Sequence, residues 1–133
     1  MTTQRLSLVA FLSVLWLGGC ASSLPPAQPA SDLKSIAGKW ECTVTMAGSA
    51  KRVPASMTIS ENGAFETIIP SFSNPGPKFV GSYRVEGGKY MWKSDTSGRT
   101  GTATLHEGGG QRVLVNEVPG TGAGYSECVS AKS

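Results

Sequence analysis

The chain is poor in the residues that do chemistry. It has one histidine, His106, and three cysteines, and only 16% of its residues are charged, against about a quarter in an ordinary soluble domain. General acid–base work needs a group poised near neutral pH, and the lone His106 falls on the outer side of a threonine-rich stretch. The carboxylates at 61, 66, 86, 95, 107, 117 and 127 fall mostly at turns or alternate positions, where solvated charges belong. No Gly-x-Ser-x-Gly elbow occurs, and no glycine-rich phosphate loop leads into a helix, because no segment after Cys20 has a helical period. These absences argue against an enzyme: no catalytic residue, no metal ligand set and no cofactor are expected. The formal net charge is +3, from 12 basic and 9 acidic residues, too weak and too scattered to imply nucleic acid as a partner. At 133 residues the chain has room for one domain at most.

Long hydrophobic runs are also missing, with one short exception. Leu6 to Leu17 is apolar apart from Ser7 and Ser13, and it follows the single charge of Arg5. It is too short to span a bilayer, which takes about 20 residues as a helix. A charged start, a short apolar stretch and then small residues read as a secretory signal; the alternative is a short amphipathic anchor or buried helix. The junction Leu17-Gly18-Gly19-Cys20 resembles the lipobox of bacterial lipoproteins. The resemblance implies that residues 1–19 are removed and that the Cys20 thiol carries a diacylglyceryl group, with the new amine usually acylated. The partner is then a membrane, held through the lipid anchor. Ala21 resembles the outer-membrane sorting choice, which places the protein in the bacterial cell envelope, facing the periplasm or the cell surface. The alternative is an ordinary signal cut nearby, leaving Cys20 a free thiol.

From Ala21 to Leu33 the chain has three prolines, no aromatic residue and one charge. Such a segment prefers extended polyproline geometry. Residues 20–35 are therefore expected to be the lipidated cysteine and a flexible tether, with the domain proper at 36–133. The alternative is that part of the segment lies across the mouth of the domain.

Glycine is abundant, with 17 residues, and it divides a series of period-two runs. Trp40, Cys42, Val44 and Met46 share one face of the first run; Lys39, Glu41, Thr43 and Thr45 share the other. Ala55, Met57 and Ile59 form the second run, Glu61-Asn62-Gly63 a hairpin turn, and Phe65, Thr67 and Ile69 the third. Residues 71–77 read as a longer loop. Runs at 79–86 and 90–92 flank Gly87-Gly88, and those at 101–106, 112–118 and 125–129 follow. About eight short strands at close spacing predict an all-β fold, a small antiparallel barrel. A barrel this size is filled by side chains or holds one small ligand. Its strands run about six residues, so any cavity is expected to be shallow, and Trp40, Phe65, Phe79, Tyr83 and Trp92 are enough to plug much of it.

Cys42 lies in the first strand and Cys128 in the last. Closure of an up-and-down barrel makes those strands neighbours, and an exported protein meets an oxidising compartment. A structural disulfide is expected; the redox alternative lacks a Cys-x-x-Cys spacing.

Gly38-Lys39-Trp40 at the opening of the first strand resembles the Gly-x-Trp signature of lipocalins. The resemblance implies a Trp closing the barrel floor under an Arg from a late strand, for which Arg112 is the counterpart. It also implies a small apolar ligand, here held between Trp40, Phe79, Tyr83 and Trp92. The chain is shorter than that family, its second motif has no clear match, and no C-terminal helix follows. Gly81-Ser82-Tyr83-Arg84 and Tyr90-Met91-Trp92-Lys93-Ser94-Asp95 are loosely similar to motifs of lipid-anchored inhibitors of C-type lysozyme, with Gly81 and Ser82 inverted. That resemblance implies a lysozyme partner, with Ser82 and Lys93 entering its cleft. A structural envelope component without a ligand is the third reading.

Overall fold

The computed structural model describes residues 24–46, 48–49, 51–70, 76–120 and 124–131. The proposed signal, Cys20 and most of the 71–77 loop lie outside them. Among the described residues nine strands form: β1 (Ala27–Gln28), β2 (Gly38–Thr45), β3 (Arg52–Ile59), β4 (Ala64–Ile68), β5 (Lys78–Glu86), β6 (Lys89–Ser94), β7 (Thr100–Gly108), β8 (Gln111–Glu117) and β9 (Tyr125–Ser130). Strands β2 to β9 each pair antiparallel with the next. β9 returns to β2, closing an eight-stranded up-and-down barrel.

Alternation decides which side chains go inside. β3 alternates exposed and buried residues without a break, sending Val53, Ala55, Met57 and Ile59 inward. The tight turns sit where the sequence places them. Gly87 and Gly88 both have positive φ, 57° and 75°, the geometry of a two-residue hairpin whose twist matches its strands.

Two glycines inside strands serve another purpose. Phe65 pairs with Gly81 across β4 and β5, and Trp92 pairs with Gly101 across β6 and β7. A Cβ on Gly81 would meet the Phe65 ring at 2.6 Å, and one on Gly101 would strike the Trp92 ring and the Glu117 carbonyl. In each pair the missing side chain lets an aromatic ring lie against bare backbone, an arrangement that supports strongly bent strands.

The barrel closes where expected. Cys42 and Cys128 are directly opposed in the β2–β9 register and are joined by a disulfide across 86 residues of sequence. It lies on the inner face, fully shielded from water at Cys128.

One expectation is corrected. From Leu24 the 20–35 segment does not hang free as a tether. β1 pairs with β7, Ala27 opposite His106 and Gln28 opposite Leu105. The reason lies in unequal strand lengths. β6 covers β7 only as far as Ala103, which leaves the edge of residues 104–108 unpaired on that side. An open edge invites a covering segment. Prolines can serve because they keep their carbonyls. Pro26 O accepts from the Glu107 amide at 3.1 Å, and Pro25 O accepts from His106 Nδ1 at 2.9 Å. A carbonyl can only accept, so His106 carries its proton on Nδ1.

The strap then crosses the end of the barrel. Ala30 N donates to Gly88 O, and the Tyr90 hydroxyl donates to Asp32 O at 3.0 Å. Asp32 caps a short 3-10 turn, Leu33–Ile36, through the Ser35 amide and hydroxyl. These two bonds hold its carboxyl below the usual carboxylate range. Ile36 enters the core fully buried, and its carbonyl accepts from Trp40 Nε1 at 2.9 Å. Arg112 lies 5.2 Å from the Trp40 ring centroid, and its guanidinium donates to Ser35 O. The Trp–Arg stack expected of Gly38-Lys39-Trp40 and Arg112 is therefore present, and it shuts this end.

Candidate binding cavity

Trp40, Tyr83 and Tyr90 fill the strapped half of the barrel. The other half is hollow. A cavity of about 330 Å³ opens between the ends of β2, β4, β6 and β8 and the starts of β5, β7 and β9. That is the low end of the range for small-molecule sites, roughly 300–1,000 Å³. Its floor is Met57, Tyr83 and Asn116; its walls are Val44, Phe65, Ile69, Phe79 and Trp92.

The floor is polar but satisfied. The Tyr83 hydroxyl donates to Asn116 Oδ1 at 2.6 Å, and Asn116 Nδ2 donates to Ser126 Oγ at 3.2 Å. Burial pushes the Tyr83 hydroxyl well above the usual tyrosine range, partly opposed by Asn116, so it stays a neutral donor. No buried side-chain nitrogen or oxygen among the described residues lacks a partner. The floor therefore makes no unmet demand for a polar ligand group, and the walls offer mainly apolar contact.

The β6–β7 turn shapes one side of the mouth, and two backbone bonds and one to a side chain hold it against β5 and the end of β6. Ser94 N donates to Arg99 O at 2.8 Å, Asp95 N to Val80 O at 2.8 Å, and Val80 N to Thr96 Oγ1 at 3.0 Å. This turn delivers Ser97 and Arg99 to the cavity rim.

Of the four expected ligand-binding residues, Phe79, Tyr83 and Trp92 line this cavity together. Trp40 does not, which corrects its assignment: its indole is spent on Ile36 O and its face on Arg112 at the closed end. The expectation that Phe65 and Trp92 help to plug the barrel is corrected. The glycine pairings instead draw Phe65 and Trp92 against the wall and leave the centre open. Ser82 and Lys93 are also brought together, opposite one another across β5 and β6, both exposed on the outer wall. Sequence reasoning missed Asn116 and Arg99. Asn116 shares inward parity with Leu114, so a polar residue in a core position was a readable signal; Arg99, in a turn, gave none.

No protein-family model, no curated protein and no solved structure matches this chain.

Proposed function

We propose that the chain is an outer-membrane-anchored envelope lipoprotein whose barrel is a non-catalytic binding module for one small apolar ligand. The cavity carries the binding half of this reading: it is open at one end, walled by Phe65, Ile69, Phe79 and Trp92, and floored by polar groups that already satisfy one another. Divided by the ~30 Å³ that a water-sized group occupies in a liquid, about 330 Å³ holds about ten non-hydrogen atoms. The lipocalin-like opening Gly38-Lys39-Trp40, with Arg112 stacked on the indole, agrees with it. The anchor half rests on Leu17-Gly18-Gly19-Cys20; fatty-acid labelling lost in Cys20→Ala supports it, and label that persists removes it.

The binding reading is tested by native mass spectrometry of the full chain purified from a bacterial host. The expected result is a bound adduct of roughly 150–200 daltons, the mass of ten to twelve non-hydrogen atoms, that disappears in Thr67→Trp, which fills the hollow. A bare mass in the wild type, unchanged by added amphiphiles, speaks for a purely structural envelope component.

The lysozyme-inhibitor reading draws on the exposed Ser82–Lys93 pair. That pair stands in the barrel wall, between β4 and β7, instead of on a projecting arm that could enter a cleft. The cavity reading is therefore the stronger.

A further inference from the structure

The cavity carries an electrical signature as well as an apolar one. Among the described residues that line it, Arg99 is the single charged side chain, and no carboxylate lines it at all. None of the ion pairs closer than 4 Å among the described residues uses Arg99; they join Lys78 to Glu66, Arg84 to Glu86 and Arg112 to Glu107. The nearest strands do carry acids. Glu117 and Glu127 raise the Tyr125 hydroxyl above its usual range, after burial, the largest cause. Both belong to the outward parity of β8 and β9 and are absent from the lining. The backbone of Arg99 is also held in place. Its carbonyl accepts from Ser94 N and its amide donates to Ser97 Oγ at 3.3 Å. Nη1 reaches within 4.0 Å of where a Cβ of Gly124 would stand, on the β8–β9 side of the mouth. The guanidinium thus spans the rim above an apolar chamber.

A cation without an ion pair among the described residues, at the mouth of an apolar cavity, fits a ligand with a negative head and an apolar tail. We infer that the occupant is an anionic amphiphile of medium chain length, with its head on Arg99 and its tail between Phe79, Trp92 and Phe65. This rests on the cavity reading above and adds the head group to it. A guanidinium presents several N–H donors in a fork that suits a carboxylate or phosphate, and a charge-assisted hydrogen bond outweighs a neutral one. The tail length follows from the volume, about ten carbons. The neutral floor of Tyr83, Asn116 and Ser126 accepts the end of the tail without an unmet polar group.

The test is a titration of the full chain with decanoate and with decanol, reading Trp92 emission. For the wild type against Arg99→Gln, the decanoate-to-decanol affinity ratio should fall about tenfold, the size of one lost charge-assisted bond. Arg99→Lys should recover part of it, and raised salt should weaken decanoate selectively. A ratio that Arg99→Gln leaves unchanged, with both ligands bound, overturns the head-group assignment and spares the cavity. Failure of the wild type to bind either ligand overturns the cavity reading and this inference with it.

Discussion

Removing the disulfide should lower stability by an amount that its place in the chain sets. The barrel is one meander whose first and last strands must meet, and β2 and β9 pair from Trp40 opposite Ser130 to Thr45 opposite Tyr125. Cys42–Cys128 fastens the middle of that seam and closes a loop of 86 residues. Chain-entropy reasoning for a loop of that size gives about 4.5 kcal/mol, acting mostly on the unfolded state. A small domain has only about 5–15 kcal/mol in all. Each kcal/mol moves the midpoint by roughly 4–8 °C in a domain near a hundred residues. The paired variant Cys42→Ala, Cys128→Ala should therefore melt about 20 °C or more below the oxidised wild type, followed by far-ultraviolet circular dichroism. Reduced wild type should melt near the variant. A drop of less than about 5 °C would mean instead that the unfolded chain gains little freedom when the seam is released, so that loop closure does not set the stability.

Two further outcomes follow from the interior. Gly101→Val places a side chain against the Trp92 ring and the Glu117 carbonyl. It should cost about 1–3 kcal/mol by overpacking, read by chemical denaturation, and should shift Trp92 emission to longer wavelength as the ring leaves the wall. Tyr83, buried with a raised hydroxyl pKa, gives a sign for alkaline pH. The folded state holds that proton more tightly than the unfolded chain does. The resulting stability is complete below the ordinary tyrosine value of 10.0 and is lost as pH rises above it. Denaturation midpoints should fall on the alkaline side of pH 10, and Tyr83→Phe, though less stable at neutral pH through loss of the Asn116 bond, should show a shallower fall.

Much of the barrel is legible in the chain because its signals are local. Period-two alternation from Trp40 to Met46 and from Ala55 to Ile59 states which face is inside. Asn62-Gly63, Gly87-Gly88 and Gly109-Gly110 state where strands reverse. Closure then makes neighbours of Cys42 and Cys128, which no local signal links. What was not legible depends on relative lengths and on packing. The strap forms because β7 outruns β6, a comparison between two strands that neither sequence shows alone. Proline-rich residues that read as a tether are competent to cover an edge through their carbonyls. The cavity likewise depends on Gly81 and Gly101 receiving aromatic rings, so aromatics counted as filling became lining. Trp40 could not be told apart from Trp92 by residue type; its place beside the strap decides its role. Arg99 reaches the rim because backbone bonds from Ser94, Asp95 and Val80 shape its turn.

Equilibrium titration with decanol asks whether the open half of the barrel receives an apolar ligand. Trp92 lines the hollow, whereas Trp40 is buried at the strapped end and serves as a constant background once Trp16 has left with the proposed signal. The expected result is a saturable change in emission that Trp92→Phe abolishes and that Thr67→Trp prevents. The cavity reading is contradicted if emission does not change up to the solubility limit of the alcohol, or if Thr67→Trp binds as well as the wild type.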